Sequence, residues 1–181
     1  MAHWNLAAVV GVPGVGKTSL CREAAESTGY IYINYGELML DFARKEGIAS
    51  TQEEMFELPL DEQYKLWREA ANSIRDMDGV LVDLHGLDRT DQGYLISLPL
   101  EILTPQIIIL VEATYNSIIK RRINDKFRTR PLKSLKSLKE EIELLRAVVA
   151  FCSVHSGSLF ELIENDDFAI SVDRLKNLLI G

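Results

Sequence analysis

Gly11-Val12-Pro13-Gly14-Val15-Gly16-Lys17-Thr18 fits the spacing Gly-x-x-x-x-Gly-Lys-Ser/Thr, and residues of these types in this order hold phosphate. Glycines let the backbone curl until successive N–H groups face one centre. A helix opening there adds its unpaired N–H groups and the positive end of its dipole. Lys17 brings a full charge to the β- and γ-phosphates, and Thr18 offers a hydroxyl to Mg²⁺; Ser19 completes the set expected to bind a triphosphate. A second carboxylate-bearing position follows the apolar run Val80-Leu81-Val82, where Asp83 stands as an acid after a strand and can hold Mg²⁺ through water beside the phosphates. A helix-capping or turn aspartate is the plainer reading of Asp83, and the phosphate loop tips the balance because a triphosphate needs a metal partner. His85, two residues on, either contacts a substrate phosphate or is a polar residue at a strand end.

Positive charge forms an island. Between Lys120 and Lys139 nine cations (Lys120, Arg121, Arg122, Lys126, Arg128, Arg130, Lys133, Lys136, Lys139) meet one anion, Asp125, in a chain whose formal net charge is −7. A charge run is usually a solvated face, which suits the lysines. Arg128-Thr129-Arg130-Pro131 falls between two helical stretches, and arginines on a loop can fork onto phosphate oxygens and neutralise transition-state charge. Arg146 lies within the apolar stretch from Leu144 to Ala150 and must find an anion there, either phosphate or a structural carboxylate.

These groups need a scaffold that brings them to one edge. Leu6 to Val10 reads as a buried strand entering the loop, and Lys17 to Glu26 as the helix leaving it. Gly29 suits a helix end, Tyr30 to Asn34 a second strand that Gly36 breaks, and Glu37 to Glu46 a helix stopped by Gly47. Ser50 or Thr51 caps a helix start, Pro59 interrupts, and Asp61 to Asp76 continues as a long helix. Gly79 to Asp83 is a third strand. His85 to Pro99 lacks periodicity and reads as a long functional loop. Ile107 to Glu112 is a continuous apolar strand, followed by helices over Asn116 to Asp125 and Ser134 to Val154, a strand over Ser158 to Asn165 and a helix over Asp167 to Ile180. Such alternation predicts an α/β fold: a parallel sheet of five strands, right-handed crossovers and helices on both faces. Ligands then bind at the carboxyl edge, where the phosphate loop, Asp83 and the segment after Glu112 all fall.

With 181 residues, 47% hydrophobic and 26% charged, the chain suits one globular domain. Its acidity argues against general nucleic-acid binding. Cys21 and Cys152 form no metal or disulfide pattern, and Cys21 is expected in the core. No apolar run approaches ~18 residues, and no basic-apolar leader is visible, so a reduced cytoplasm is the expected compartment.

Taken in order, the motifs resemble archaeal-type adenylate kinase, a nucleoside monophosphate kinase. The resemblance rests on the phosphate loop, Asn34-Tyr35-Gly36-Glu37-Leu38-Met39-Leu40, Glu54-Met55, Leu58-Pro59, Val82-Asp83-Leu84-His85, Gly93-Tyr94-Leu95-Ile96-Ser97-Leu98-Pro99, Arg121-Arg122, Arg128-Thr129-Arg130 and Leu145-Arg146-Ala147. It implies a three-layer P-loop NTPase fold over residues 1–181 with a short lid at 127–133. It implies reversible transfer from ATP to AMP with Mg²⁺, giving two ADP. ATP would lie over the P-loop, with Lys17 following the transferring phosphoryl group and Arg121 or Arg122 near the base. Arg128, Arg130 and Arg146 would clamp phosphates. AMP would sit between Tyr35-Gly36 and Gly93-Tyr94-Leu95, within reach of His85. A homotrimer is implied too. Two positions depart from the pattern: Leu84 stands where the family usually has Thr, and Gln52 where it tends to carry a basic residue facing the AMP phosphate. Arg89 or Arg44 would be the replacement cation. The departures leave open a kinase for another nucleoside monophosphate or small acceptor. Asp83-Leu84-His85-Gly86 also has the look of adenylate-kinase-like ATPases that act in ribosome assembly, whereas Gly93-Tyr94-Leu95 favours the kinase.

Overall fold

The computed structural model describes residues 3–90, 93–124 and 135–181. Its centre is a five-stranded parallel sheet in the order β2-β3-β1-β6-β7, formed by β1 (Leu6–Val10), β2 (Ile31–Asn34), β3 (Val80–Asp83), β6 (Ile107–Glu112) and β7 (Leu159–Glu164). Successive side chains of a strand point to opposite faces. Every residue of β1, β3 and β6 is buried, so helices must cover both faces, as their unbroken apolar sequences require. The outer strands β2 and β7 are more exposed.

Helix α1 (Lys17–Thr28) packs on α7 (Phe168–Ile180) and against β1, β2 and β3, while α6 (Leu135–Ser156) lies on β6 and β7. Helices α2 (Tyr35–Glu46), α3 (Gln52–Glu57) and α4 (Leu60–Ile74) follow β2, and α5 (Tyr115–Asn124) follows β6. Cys21 is fully buried in the core, as expected, and burial pushes its thiol pKa up. Trp4 Nε1 donates to the Leu178 carbonyl (2.7 Å) and Tyr30 Oη to that of Leu179 (3.0 Å), fastening α7 beside the start of β1.

Two sequence expectations are corrected. The stretch His85 to Pro99 is not a loop: it contains an antiparallel hairpin, β4 (Gly86–Thr90) with β5 (Gly93–Ser97), in register from Gly86 opposite Ser97 to Thr90 opposite Gly93. It is a ribbon outside the main sheet, where Leu87 is buried but Arg89, Gly93, Tyr94 and Ile96 are exposed. No simple apolar alternation results. Helix α2 starts at Tyr35, before Gly36 and not after it. The reason is Asn34, whose side chain accepts from the Glu37 N–H (3.0 Å) and caps the helix. Thr51 and Glu54 form a reciprocal capping box on α3, as Ser50-Thr51 suggested.

Candidate active site

The chain leaving β1 turns toward β2 on one side of the sheet, and the chain leaving β3 heads for β6 on the other. A crevice at the carboxyl edge opens at such a reversal. Gly11 enters it, its N–H donating to the His85 carbonyl (3.3 Å). A side chain at Gly11 has no room: an added Cβ would lie 2.3 Å from the Val111 carbonyl oxygen. Gly14 and Gly16 take φ values of +99° and +93°, which glycine alone adopts readily. Val12 and Val15 are buried and anchor the loop in the core. Gly16 is the N-cap of α1 and contributes no side-chain cap, so the first-turn amides face the loop's concavity without an internal acceptor from that residue.

Lys17 is buried, and its Nζ donates to the Gly11 carbonyl (2.6 Å) across the loop. Thr18 Oγ1 donates to Asp83 Oδ2 (2.8 Å). Tyr32 Oη (3.3 Å) and Asn34 Nδ2 (3.4 Å) point at the same oxygen of the buried Asp83. Burial first, and then the Asp83 charge, push the Tyr32 phenol up to about 12, which keeps it a donor. A hydroxyl beside a carboxylate is a hard-oxygen pair of the kind Mg²⁺ takes together with substrate phosphates, so Thr18 and Asp83 fit the metal role. Ser19 lies exposed in the first turn of α1.

His85 Nδ1 and Asp88 Oδ1 are 2.9 Å apart. Burial alone would raise the Asp88 pKa, but the His85 bond, with the His85 and Lys17 charges, holds it below the usual carboxylate value. Next to Asp83, β2 and β3 run side by side, with Asn34 opposite Asp83. The start of α2 and the β4–β5 hairpin therefore rise from one edge. The Tyr35 hydroxyl is committed to the Trp67 carbonyl (2.6 Å). Gly36 lies in the first turn of α2, with the Gln52 amide nitrogen 3.5 Å from where its Cβ would be. Gly93, Tyr94 and Leu95 belong to β5, and Arg89 reaches over the Tyr94 ring (6.0 Å). Arg44 bonds the Ser50 carbonyl (3.1 Å) and pairs with Asp41.

The remaining cations divide. Arg146 forks onto both carboxylate oxygens of Glu112 at the end of β6. Of the two partners expected for it, the structure shows the carboxylate. The pair is lopsided: the Glu112 side chain is 8% exposed and that of Arg146 54%, so the guanidinium still faces solvent. Arg121 donates to the Val15 (2.8 Å) and Asn165 carbonyls. Arg122 donates twice to the Pro13 carbonyl (3.0 and 2.6 Å). Arg128, Arg130 and the 127–133 lid lie outside the described residues.

Sequence reasoning missed Asn165. It is buried, its Nδ2 donates to the Val15 carbonyl (2.8 Å), and its N–H bonds the Glu112 carbonyl (2.7 Å). The signal was present in kind, since a polar residue ending a strand at the carboxyl edge is the logic that singled out Asp83.

A family model described as an AAA domain matches residues 10–139. The chain is 50% identical to the adenylate kinase homolog of Methanothermobacter thermautotrophicus, over 88% of this chain and 84% of that protein. It is 35% identical to the adenylate kinase of Methanoculleus marisnigri, over 94% and 96% of the two, and 37% identical to that of Thermoplasma acidophilum, over 88% of each. Among solved structures it resembles shikimate kinase from Acinetobacter baumannii, with a TM-score of 0.62 over 97% of this chain and 91% of that one; at 18% identity the likeness is one of fold.

Proposed function

The chain belongs to the archaeal-type adenylate kinase family and carries the AAA domain of its family model, and from that premise we propose that it transfers the γ-phosphoryl group of ATP reversibly to AMP, giving two ADP. The observation that carries the reading is the P-loop bonded through Thr18 to the strand-end carboxylate Asp83. Phosphoryl transfer asks little covalent chemistry of a protein and much positioning and charge stabilisation. The amides of Gly14 to Thr18 cradle the triphosphate, and Lys17 leaves the Gly11 carbonyl to follow the transferring group. Thr18 and Asp83 would hold Mg²⁺, which would offset charge on the phosphates. Arg146 turns its exposed guanidinium from Glu112 toward phosphate, joined by Arg128 and Arg130. Arg121 and Arg122 serve the ATP side. AMP lies between Tyr35-Gly36 and Gly93-Tyr94-Leu95, with His85 near its phosphate. The AMP phosphate is already anionic, so no general base is needed.

Replacing Arg130 by alanine should lower kcat by ~10²–10³-fold, with melting little changed; equal turnover would place the clamp elsewhere. The decisive experiment is an acceptor panel: purified protein with ATP, Mg²⁺ and, separately, AMP, UMP, CMP or non-nucleotide acceptors. Brisk ADP formation with AMP supports the reading. One observation favours a second, a kinase for a different small acceptor: the residue against the first turn of α2 is the neutral Gln52, and Arg44 is engaged locally. Transfer to another acceptor with none to AMP would select it. Slow hydrolysis without any acceptor, together with co-purification of a ribosomal protein, would instead select the assembly ATPase. A homotrimer working in the cytoplasm belongs to the same proposal, and light scattering tests the assembly. Among the described residues no helix is long and apolar enough to cross a membrane.

A further inference from the structure

We infer that Arg121 and Arg122 act as positioning residues that aim the P-loop amides from behind. A trans peptide is planar, with its C=O and N–H pointing in opposite directions. The Pro13 carbonyl and the Gly14 N–H share one peptide unit, and the Val15 carbonyl and the Gly16 N–H share another. Arg122 grips the first carbonyl with two donors (3.0 and 2.6 Å), while Arg121 and Asn165 both hold the second (2.8 Å each). Fixing those oxygens turns the Gly14 and Gly16 N–H groups to the opposite side, into the loop's concavity.

Both glycines sit at positive φ, where the missing Cβ leaves the backbone free to reorient unless something external holds it. The holding groups are well placed to do so. Arg122 is buried, with its side chain against Gly14: an added Cβ there would stand 3.1 Å from Arg122 Cγ and Nε. A Cβ at Gly16 would meet Asn165 Nδ2 at 2.7 Å. A buried guanidinium is costly unless hydrogen-bonded, and burial is the main cause that lowers the Arg122 pKa. The charge also acts on the loop's electrostatics, since a cation at the carbonyl end of a peptide polarises its N–H toward an anion.

The inference rests on the phosphate-binding reading of the P-loop, and the test separates the two. Arg122→Met keeps the volume and packing of a buried side chain while removing its donors; Arg121→Met does the same for the second carbonyl. The Gly14 and Gly16 amide signals in a three-dimensional HNCO spectrum report the Pro13 and Val15 carbonyl carbons of the free protein. Arg122→Met should move the Pro13 carbonyl carbon and leave that of Val15 in place. Arg121→Met should move Val15 less, because Asn165 still holds it, and leave Pro13 unmoved. Calorimetry should show MgATP affinity falling about tenfold in Arg122→Met, the loss expected for charged hydrogen bonds, with AMP affinity unchanged and partial rescue in Arg122→Lys. A general loosening of the fold would move both carbonyls together and weaken both nucleotides, which overturns the inference. Unchanged carbonyls, or full MgATP affinity despite a moved Pro13 carbonyl, overturn it as well. Wild-type protein that failed to bind MgATP would overturn the nucleotide reading and, with it, the role claimed for the two arginines.

Discussion

Lys17→Ala should reduce phosphoryl transfer by at least ~10³-fold, the scale on which charges placed against a transferring phosphoryl group act. Lys17 is the cation on the first turn of α1, and its ammonium spans the mouth of the loop to the Gly11 carbonyl. In the folded protein alone the loss is smaller than in turnover: a hydrogen bond made by a charged group is worth about 1.5–3 kcal/mol, which in a domain of this size lowers Tm by roughly 3–12 °C and leaves the fold in place. Stability and turnover should therefore separate sharply. A coupled assay for ADP and a thermal melt on the same preparation check it. Turnover within about tenfold of wild type would remove Lys17 from the reaction, since the charge term is worth far more than that.

Gly11→Ala should do the opposite and strike the fold first. The backbone at Gly11 takes no left-handed conformation; what it needs is space. An added methyl would lie 2.3 Å from the Val111 carbonyl oxygen and 3.0 Å from Val15 Cγ2. The nearer atom is main chain of β6 itself, in the sheet's buried interior, so relief requires β1 and β6 to part. Overpacking costs about 1–3 kcal/mol where side chains can yield, and here the obstacle is main chain, so a loss of about 3 kcal/mol or more is expected. Urea unfolding measures it. A midpoint equal to that of wild type would show that the loop relaxes without disturbing the sheet.

The parts of the site legible in the sequence were those whose chemistry and position are local. The P-loop announces itself because glycines, lysine and threonine all lie within residues 11–18. Asp83 was legible because a carboxylate ends a run that is otherwise wholly apolar. β1, β3 and β6 were legible for the same reason: strands covered on both faces carry uninterrupted apolar sequence. The hairpin of β4 and β5 escaped because Leu87 is its one hydrophobic side chain in the buried core, so no period survives. The Gly93 that follows the Thr90 end of β4 was the punctuation that would have divided it. The start of α2 escaped because Gly36 is a stronger local break than Asn34 is a visible cap. Arg121 and Arg122 were recognised as cations, but their partners are carbonyls of Pro13, Val15 and Asn165, and main-chain acceptors leave no mark in side-chain spacing. Glu112 and Asn165 escaped as supports because each is paired by the topology with a residue far along the chain.

The central place of β1 also bears on how the protein is made. Val9 aligns with Asp83 on one side and with Ile109 on the other, and the loop that follows is held by Arg121, Arg122 and Asn165. A ribosome delivers residues 11–18 early, but the side chains that hold them, Arg121, Arg122 and Asn165, emerge much later. Long-range parallel pairing is slow to form, so the nascent chain passes most of its synthesis blind to nucleotide and gains its grip on ATP only as β7 docks. Chains truncated at increasing lengths and released from the ribosome would acquire MgATP-dependent protease resistance abruptly, once Asn165 is included.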